Sequence, residues 1–154
     1  MRKSLILLPL LMFAQPAAAV DVTFSGTLAG VCTLALSLPG TLALSVDGTR
    51  LGSEETGGIP ATLTILSIGT NTVTVAAPTR TASPAAYVPT GEVVEIAYNG
   101  LAGLAGVTHA YTASSSTFGI NTLPLTIVLF NSRITNANGF AAGTFTTRSV
   151  VTCS

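Results

Sequence analysis

The chain has 154 residues with six basic and six acidic side chains, so it lacks the basic footprint that binding to nucleic acid requires. Only 8% of its residues are charged and 48% are hydrophobic, so a polar surface has to be built from Thr, Ser and Asn. Thr occurs 24 times, always after residue 19, and its β-branch favours strands.

Residues 1–19 read as an export signal. Arg2 and Lys3 give a basic start, Leu5 to Ala14 an apolar stretch, and Ala17-Ala18-Ala19 the small residues at which a signal peptidase cuts. That apolar stretch is too short to cross about 30 Å of hydrocarbon, so cleavage rather than anchoring is expected. Cutting after Ala19 exposes Val20 rather than a cysteine, which argues against a lipid anchor. The expected mature product, residues 20–154, is one domain with no membrane span, exported to the periplasm and then to the cell surface or the medium. Its length, 154 − 19 = 135 residues, is enough to bury a core without a metal. Loss of Arg2 and Lys3 leaves four Arg against six acids, a net charge of 4 − 6 = −2.

Beyond the signal, period-2 alternation recurs and no window of helical length shows a 3.6-residue period. Val22, Phe24 and Leu28 alternate with Thr23, Ser25 and Thr27. Cys32, Leu34, Leu36 and Leu38 are expected to share one face. After a turn at Pro39-Gly40, Leu42, Leu44 and Val46 repeat the pattern up to Asp47-Gly48, a hairpin signal. Further predicted strands are Ala61 to Ile68, Thr72 to Ala76, Glu92 to Tyr98, Leu123 to Phe130 and Thr144 to Cys153. Turns are expected at Gly69-Thr70-Asn71, Asn99-Gly100 and Asn138-Gly139, all suited to positive φ. Pro78, Pro84 and Pro89 make Pro78 to Gly91 an edge or crossing segment. Leu101 to Gly119, rich in Gly, Ala and Ser, fits loop, short strand or a turn of helix alike. Many short strands with regular turns imply an all-β antiparallel sandwich or barrel.

The two cysteines, Cys32 and Cys153, stand near opposite ends of the mature chain. An even count in an exported chain reads as a disulfide. Two thiols and one histidine this far apart match no zinc spacing, so no metal and no cofactor are expected. Closing so long a loop stabilises by about 4 to 5 kcal/mol on the chain-entropy model.

Catalytic chemistry has little to stand on. His109 is the only histidine, with no acid close to it in sequence. No Gly-x-Ser-x-Gly elbow accompanies it. Glu54-Glu55 and the Glu92, Glu95 pair are the only acidic clusters, and all four read as solvated charges. Without Lys after the signal, there is no phosphate-cradling loop. Tyr87, Tyr98 and Tyr111 fit a ligand platform or ordinary packing with a wet hydroxyl. The chain is not expected to be an enzyme.

Both ends of the mature chain carry a further pattern. Val20-Asp21-Val22-Thr23-Phe24-Ser25-Gly26-Thr27-Leu28, soon followed by Cys32-Thr33-Leu34, resembles the start of a chaperone–usher pilin subunit. Asn121-Thr122-Leu123-Pro124-Leu125, Gly139 and Gly143-Thr144-Phe145 before a Thr- and Val-rich last strand are similar to the pilin ending. The middle matches only in length and strand content. The resemblance implies an immunoglobulin-like antiparallel β-sandwich of about seven strands, incomplete until an arm from the next subunit is added. It implies neighbouring subunits and a periplasmic chaperone as partners. Val20, Val22, Phe24 and Leu28 would fill pockets in a neighbour's groove, and Gly26 would sit where a larger side chain could not enter. The same alternation also suits an ordinary first strand.

This chain departs from the family in its cysteines. Pilins place their second Cys in the first half of the chain, and Cys153 stands where the family carries a penultimate Tyr. Strands flanking an inserted one are about 9 to 10 Å apart, whereas a disulfide spans Cα atoms up to about 7 Å apart. A Cys32–Cys153 bridge therefore closes any groove at its own level. Two expectations remain: a fibre subunit with the bridge at one end of an open groove, or a self-contained secreted or surface binding or adhesion module stapled end to end.

Overall fold

The computed structural model describes residues 25–26, 30–101, 103–104, 106–121 and 123–154. The predicted signal and the arm positions Val20, Val22, Phe24 and Leu28 lie outside them. Gly26 lies within, exposed, and a Cβ built on it would touch nothing.

Among the described residues every regular element is a strand and every pairing is antiparallel. The chain forms β1 (Val31–Leu38), β2 (Ala43–Leu44), β3 (Arg50–Gly52), β4 (Ala61–Ile68), β5 (Asn71–Val75) and β6 (Thr79–Ala82). It continues through β7 (Val93–Gly100), β8 (Thr108–Thr112), β9 (Ser116–Ile120), β10 (Leu123–Thr135), β11 (Thr146–Arg148) and β12 (Val151–Cys153). The long β10 is the spine of a seven-stranded sheet. One of its edges pairs first with β4 and then with β3, and the other with β7. β1 flanks β4, β2 flanks β3, and β8 flanks β7. A three-stranded sheet in the order β12-β5-β9 and a β6-β11 pair complete the described fold.

Alternation explains the layering. On β4, Leu63, Ile65 and Ser67 are buried; on β5, Asn71, Val73 and Val75 are; on β9, Phe118 and Ile120 are. Apolar side chains of the large sheet (Leu63, Ile65, Ile96, Tyr98, Val128, Phe130) meet those of the small one (Val73, Val75, Phe118, Ile120) in a single core. Fully burying one such side chain stabilises by about 1.5 to 3 kcal/mol, so this inter-sheet layer is the main source of stability.

Several expectations need amendment. The register of β1 against β4 slips between Leu36 and Leu38: Leu36 stands opposite buried Leu63, whereas Leu38 stands opposite Thr62. A bulge at Ser37 therefore breaks the common face expected for Cys32 to Leu38. Asn99-Gly100 is no turn but the end of β7, paired with β10. Of the alternatives open for Leu101 to Gly119, the described residues show loop and two short strands, β8 and β9, while the predicted last strand divides into β11 and β12. The Asp47-Gly48 turn forms as expected, with Gly48 at φ 72° between β2 and β3.

Candidate functional site: an open groove between the first and last strands

β1 pairs with β4 on one edge, and β12 pairs with β5 on one edge. Their other edges have no strand partner among the described residues. The two strands are joined by the Cys32–Cys153 disulfide, with Cα atoms 6.0 Å apart. A groove of about 720 Å³ lies near that bridge, reached by Leu36 of β1 and Val151 of β12.

One wall is Leu36 and the Pro39-Gly40-Thr41-Leu42 segment; the other is Gly143 to Ser149 together with Val151. The floor is the core itself, through Leu63, Ile96 and Phe130. Leu34 faces inward opposite Ile65 and packs against that core. Leu36 faces inward at the next such position yet is 63% exposed, because nothing among the described residues covers it. Apolar cover thus gives out along β1 as the distance from the disulfide grows.

The far wall is held from behind. Phe145 meets Tyr87 edge-on at 4.9 Å and Phe140 at 5.3 Å. Gly143 has φ 142°, and a Cβ there would lie 2.5 Å from Pro84 Cγ, so only glycine lets the wall approach the 78–91 segment. The hydroxyls of Ser132 and Thr147 hydrogen-bond at 2.9 Å and tie β10 to β11 at the base of the groove. An apolar floor between two unpaired strand edges can receive an extended segment, satisfying its backbone and alternate side chains together.

The other candidates are occupied by their own contacts. His109 stacks on Tyr98 with ring centroids 5.1 Å apart, and its Nδ1 lies 2.7 Å from the Ala110 carbonyl. No acid or nucleophile appears among its hydrogen bonds. None of the described residues form a His, Cys, Asp and Glu group able to hold a metal ion. The four glutamates expected as solvated charges are all engaged. Glu55 pairs with Arg50, Glu92 with Arg80 and Glu95 with Arg133, while Glu54 accepts a hydrogen bond from the Tyr111 hydroxyl at 2.7 Å. Burial first, and then that hydrogen bond, push the Tyr111 hydroxyl well above its ordinary pKa. Arg133 covers the Tyr111 ring at 3.9 Å. The shallow depression among Arg50, Glu54, Glu55, Tyr111 and Arg133 is therefore satisfied internally. Tyr87 likewise donates to Glu92 and accepts from Asn136, and burial raises its pKa.

The disulfide pair is legible in the sequence, whereas the groove residues are not. Leu36 was legible only as one of several inward leucines, and the Gly143 to Ser149 wall only as part of a final strand. No helix among the described residues is long and apolar enough to cross a membrane. Comparison of the chain with protein-family models, with curated proteins and with solved structures gave no match.

Proposed function

We propose that this chain is a pilin-like structural subunit of a surface fibre, with an incomplete immunoglobulin-like sandwich whose groove receives the arm Val20 to Leu28 of a neighbouring copy. The observation that carries this reading is Leu36, inward-facing opposite buried Leu63 and yet 63% exposed at the groove. A closed sandwich has no reason to leave an inward leucine of its first strand bare.

In this reading the protein is exported to the periplasm, shielded there by a chaperone that covers the groove, and assembled without catalysis. An intrachain disulfide is compatible with such a route. The self-contained adhesion module is the second reading, favoured by the staple between first and last strands.

The two separate on one experiment. Mature chain lacking residues 20–28 is titrated with a synthetic Val20 to Leu28 peptide, with binding followed by calorimetry and by the rise in Tm. Saturable binding with a rise in Tm supports the fibre subunit. An arm-deleted chain that stays monomeric, keeps its stability and ignores the peptide overturns it.

A further inference from the structure

We infer that the Cys32–Cys153 disulfide bars the chain's own arm from its groove, so that only the 20–28 segment of a second copy can fill it. This rests on the groove being a strand-accepting site.

The first ground is where the arm joins the fold. The chain enters β1 through Gly30, and only Val31 separates that glycine from Cys32. The arm is therefore rooted at the bridged end of the groove. β1 then runs away from that end, past Leu34 to Leu36. To lie beside its own β1, the arm would have to reverse at Gly30 and run antiparallel to β1. The first level it meets is Cys32 with Cys153.

The second ground is the width there. The two Cα atoms are 6.0 Å apart. A strand inserted between two others sets them at twice the neighbour spacing, about 9.6 Å. The covalent bridge prevents the gap from widening to that value. An own arm would have to climb over the outside of the bridge and drop into the groove near Leu36, four residues or about 13 Å further along β1. The stretch spent on the detour includes Leu28 and Gly26, the positions nearest the root, so its pairing with β1 and its first apolar anchor are lost. An arm from a second copy carries no such tether. It can enter the groove on the side away from the bridge, where Leu36 is bare.

The third ground is the position of the bare surface. The disulfide closes the groove where Leu34 is already covered and leaves it open where Leu36 is not. The bridge thus both fixes the inner limit of an incoming strand and excludes the nearest competitor for the site.

The test uses the full mature chain with Phe24 replaced by a photoreactive phenylalanine, as a 1:1 mixture of light and heavy isotopic forms. After irradiation, arm-to-groove cross-links are read by mass spectrometry as same-copy or mixed-copy. The bridged chain is expected to give cross-linked oligomers with the statistical half of mixed-isotope pairs and no cross-linked monomer. C32S/C153S is expected to gain a cross-linked monomer fraction of single isotopic mass. Arm-to-groove cross-links within monomers of the bridged chain overturn the inference, and this holds whether or not C32S/C153S folds. Peptide binding to the arm-deleted chain separates the two failures. If the peptide binds while the bridged chain cross-links to itself, only the role of the disulfide falls; if it does not bind, the groove reading falls first.

Discussion

The Ser132 hydroxyl of β10 and the Thr147 hydroxyl of β11 lie 2.9 Å apart and form the one side-chain hydrogen bond that crosses the base of the groove among the described residues. The β11 wall of the site depends on it, because β11 is otherwise strand-paired only with the short β6. Thr147→Val keeps the shape and removes the bond. The expected cost is about 1 kcal/mol in urea denaturation, the ordinary net value of such a bond. Affinity for the Val20 to Leu28 peptide should fall as well, since the β11 wall is no longer fixed. A variant as stable as the parent, with unchanged peptide affinity, would show that the bond is incidental.

Leu36 offers the opposite combination. Its side chain is largely in water in the isolated chain, so Leu36→Ser should change stability by no more than about 0.5 kcal/mol. Insertion of an arm would bury it, and the lost transfer energy is about 1 to 2 kcal/mol, or about 5- to 30-fold in peptide Kd. Calorimetric titration of parent and variant checks this directly. A large loss of stability without loss of affinity would place Leu36 in the core rather than at a docking surface.

What the sequence made legible follows from how local each feature is. β4 was read from Ala61 to Ile68 because its alternation is a property of eight consecutive residues. The disulfide is legible from the count of two cysteines in a chain that reads as exported. The groove was not legible, since it depends on which strand fails to meet which, and β1 and β12 are more than 100 residues apart in sequence. Gly100 shows how a local signal misleads. Asn99-Gly100 suggested a turn, but a Cβ on Gly100 would lie 2.5 Å from the Leu104 carbonyl oxygen, so glycine is there for close packing at the end of a strand. The paired glutamates were misread for a similar reason. Arg50 lies near Glu55 in sequence, but Arg133 and Glu95 meet only through the β7–β10 register.

Asn136 is fully buried, and its side chain serves three partners. Its amide donates to the Tyr87 hydroxyl and the Val88 carbonyl, both at 2.9 Å, and its oxygen accepts from the Asn138 amide. These bonds pin the 78–91 segment, which in turn backs the Phe145 wall of the groove. Asn136→Leu removes all three bonds, and of the partners only the Tyr87 hydroxyl keeps another, to Glu92. Each unsatisfied buried group costs about 1 to 3 kcal/mol, so a loss of about 3 kcal/mol is expected, with the midpoint of chemical denaturation as the measure. A loss under 1 kcal/mol would mean that water replaces the amide.

Asp47 sets a pH dependence in the β2–β3 turn. The Ser45 hydroxyl first, and then the Thr49 amide, donate to its carboxylate and lower its pKa from 3.8 to about 2. A carboxyl group depressed on folding adds stability above its unfolded value and loses that contribution as the pH falls through its folded value. The contribution is therefore whole above about pH 4 and gone near pH 2. Asp47→Asn should lie below the parent in Tm at pH 5 and converge with it toward pH 2. Parallel curves through that window would show that the carboxylate is equally solvated in both states.

The disulfide carries the largest expected single effect on stability. Cys32 and Cys153 are separated by 121 positions, so the bridge removes most of the freedom of the unfolded chain to move its ends apart. On the chain-entropy model the stabilisation is about 4 to 5 kcal/mol, and native bridges in small secreted domains are worth about 2 to 5 kcal/mol when removed. The core beneath the bridge does not depend on it, since Ile65, Val73, Val75 and Ile120 are fully buried by inter-sheet packing. C32S/C153S is therefore expected to fold, with a lower midpoint in urea and an unchanged β-sheet circular dichroism spectrum at low temperature. The terminal pairing of β12 with β5 should weaken most, through the bonds that join Thr72 and Ser154. Amide hydrogen exchange resolves this. Protection should fall at Val151 to Ser154 and at Val31 to Leu34 while Ile65 and Val128 keep theirs. Uniform loss across both sheets would mean instead that the bridge and the core form one cooperative unit.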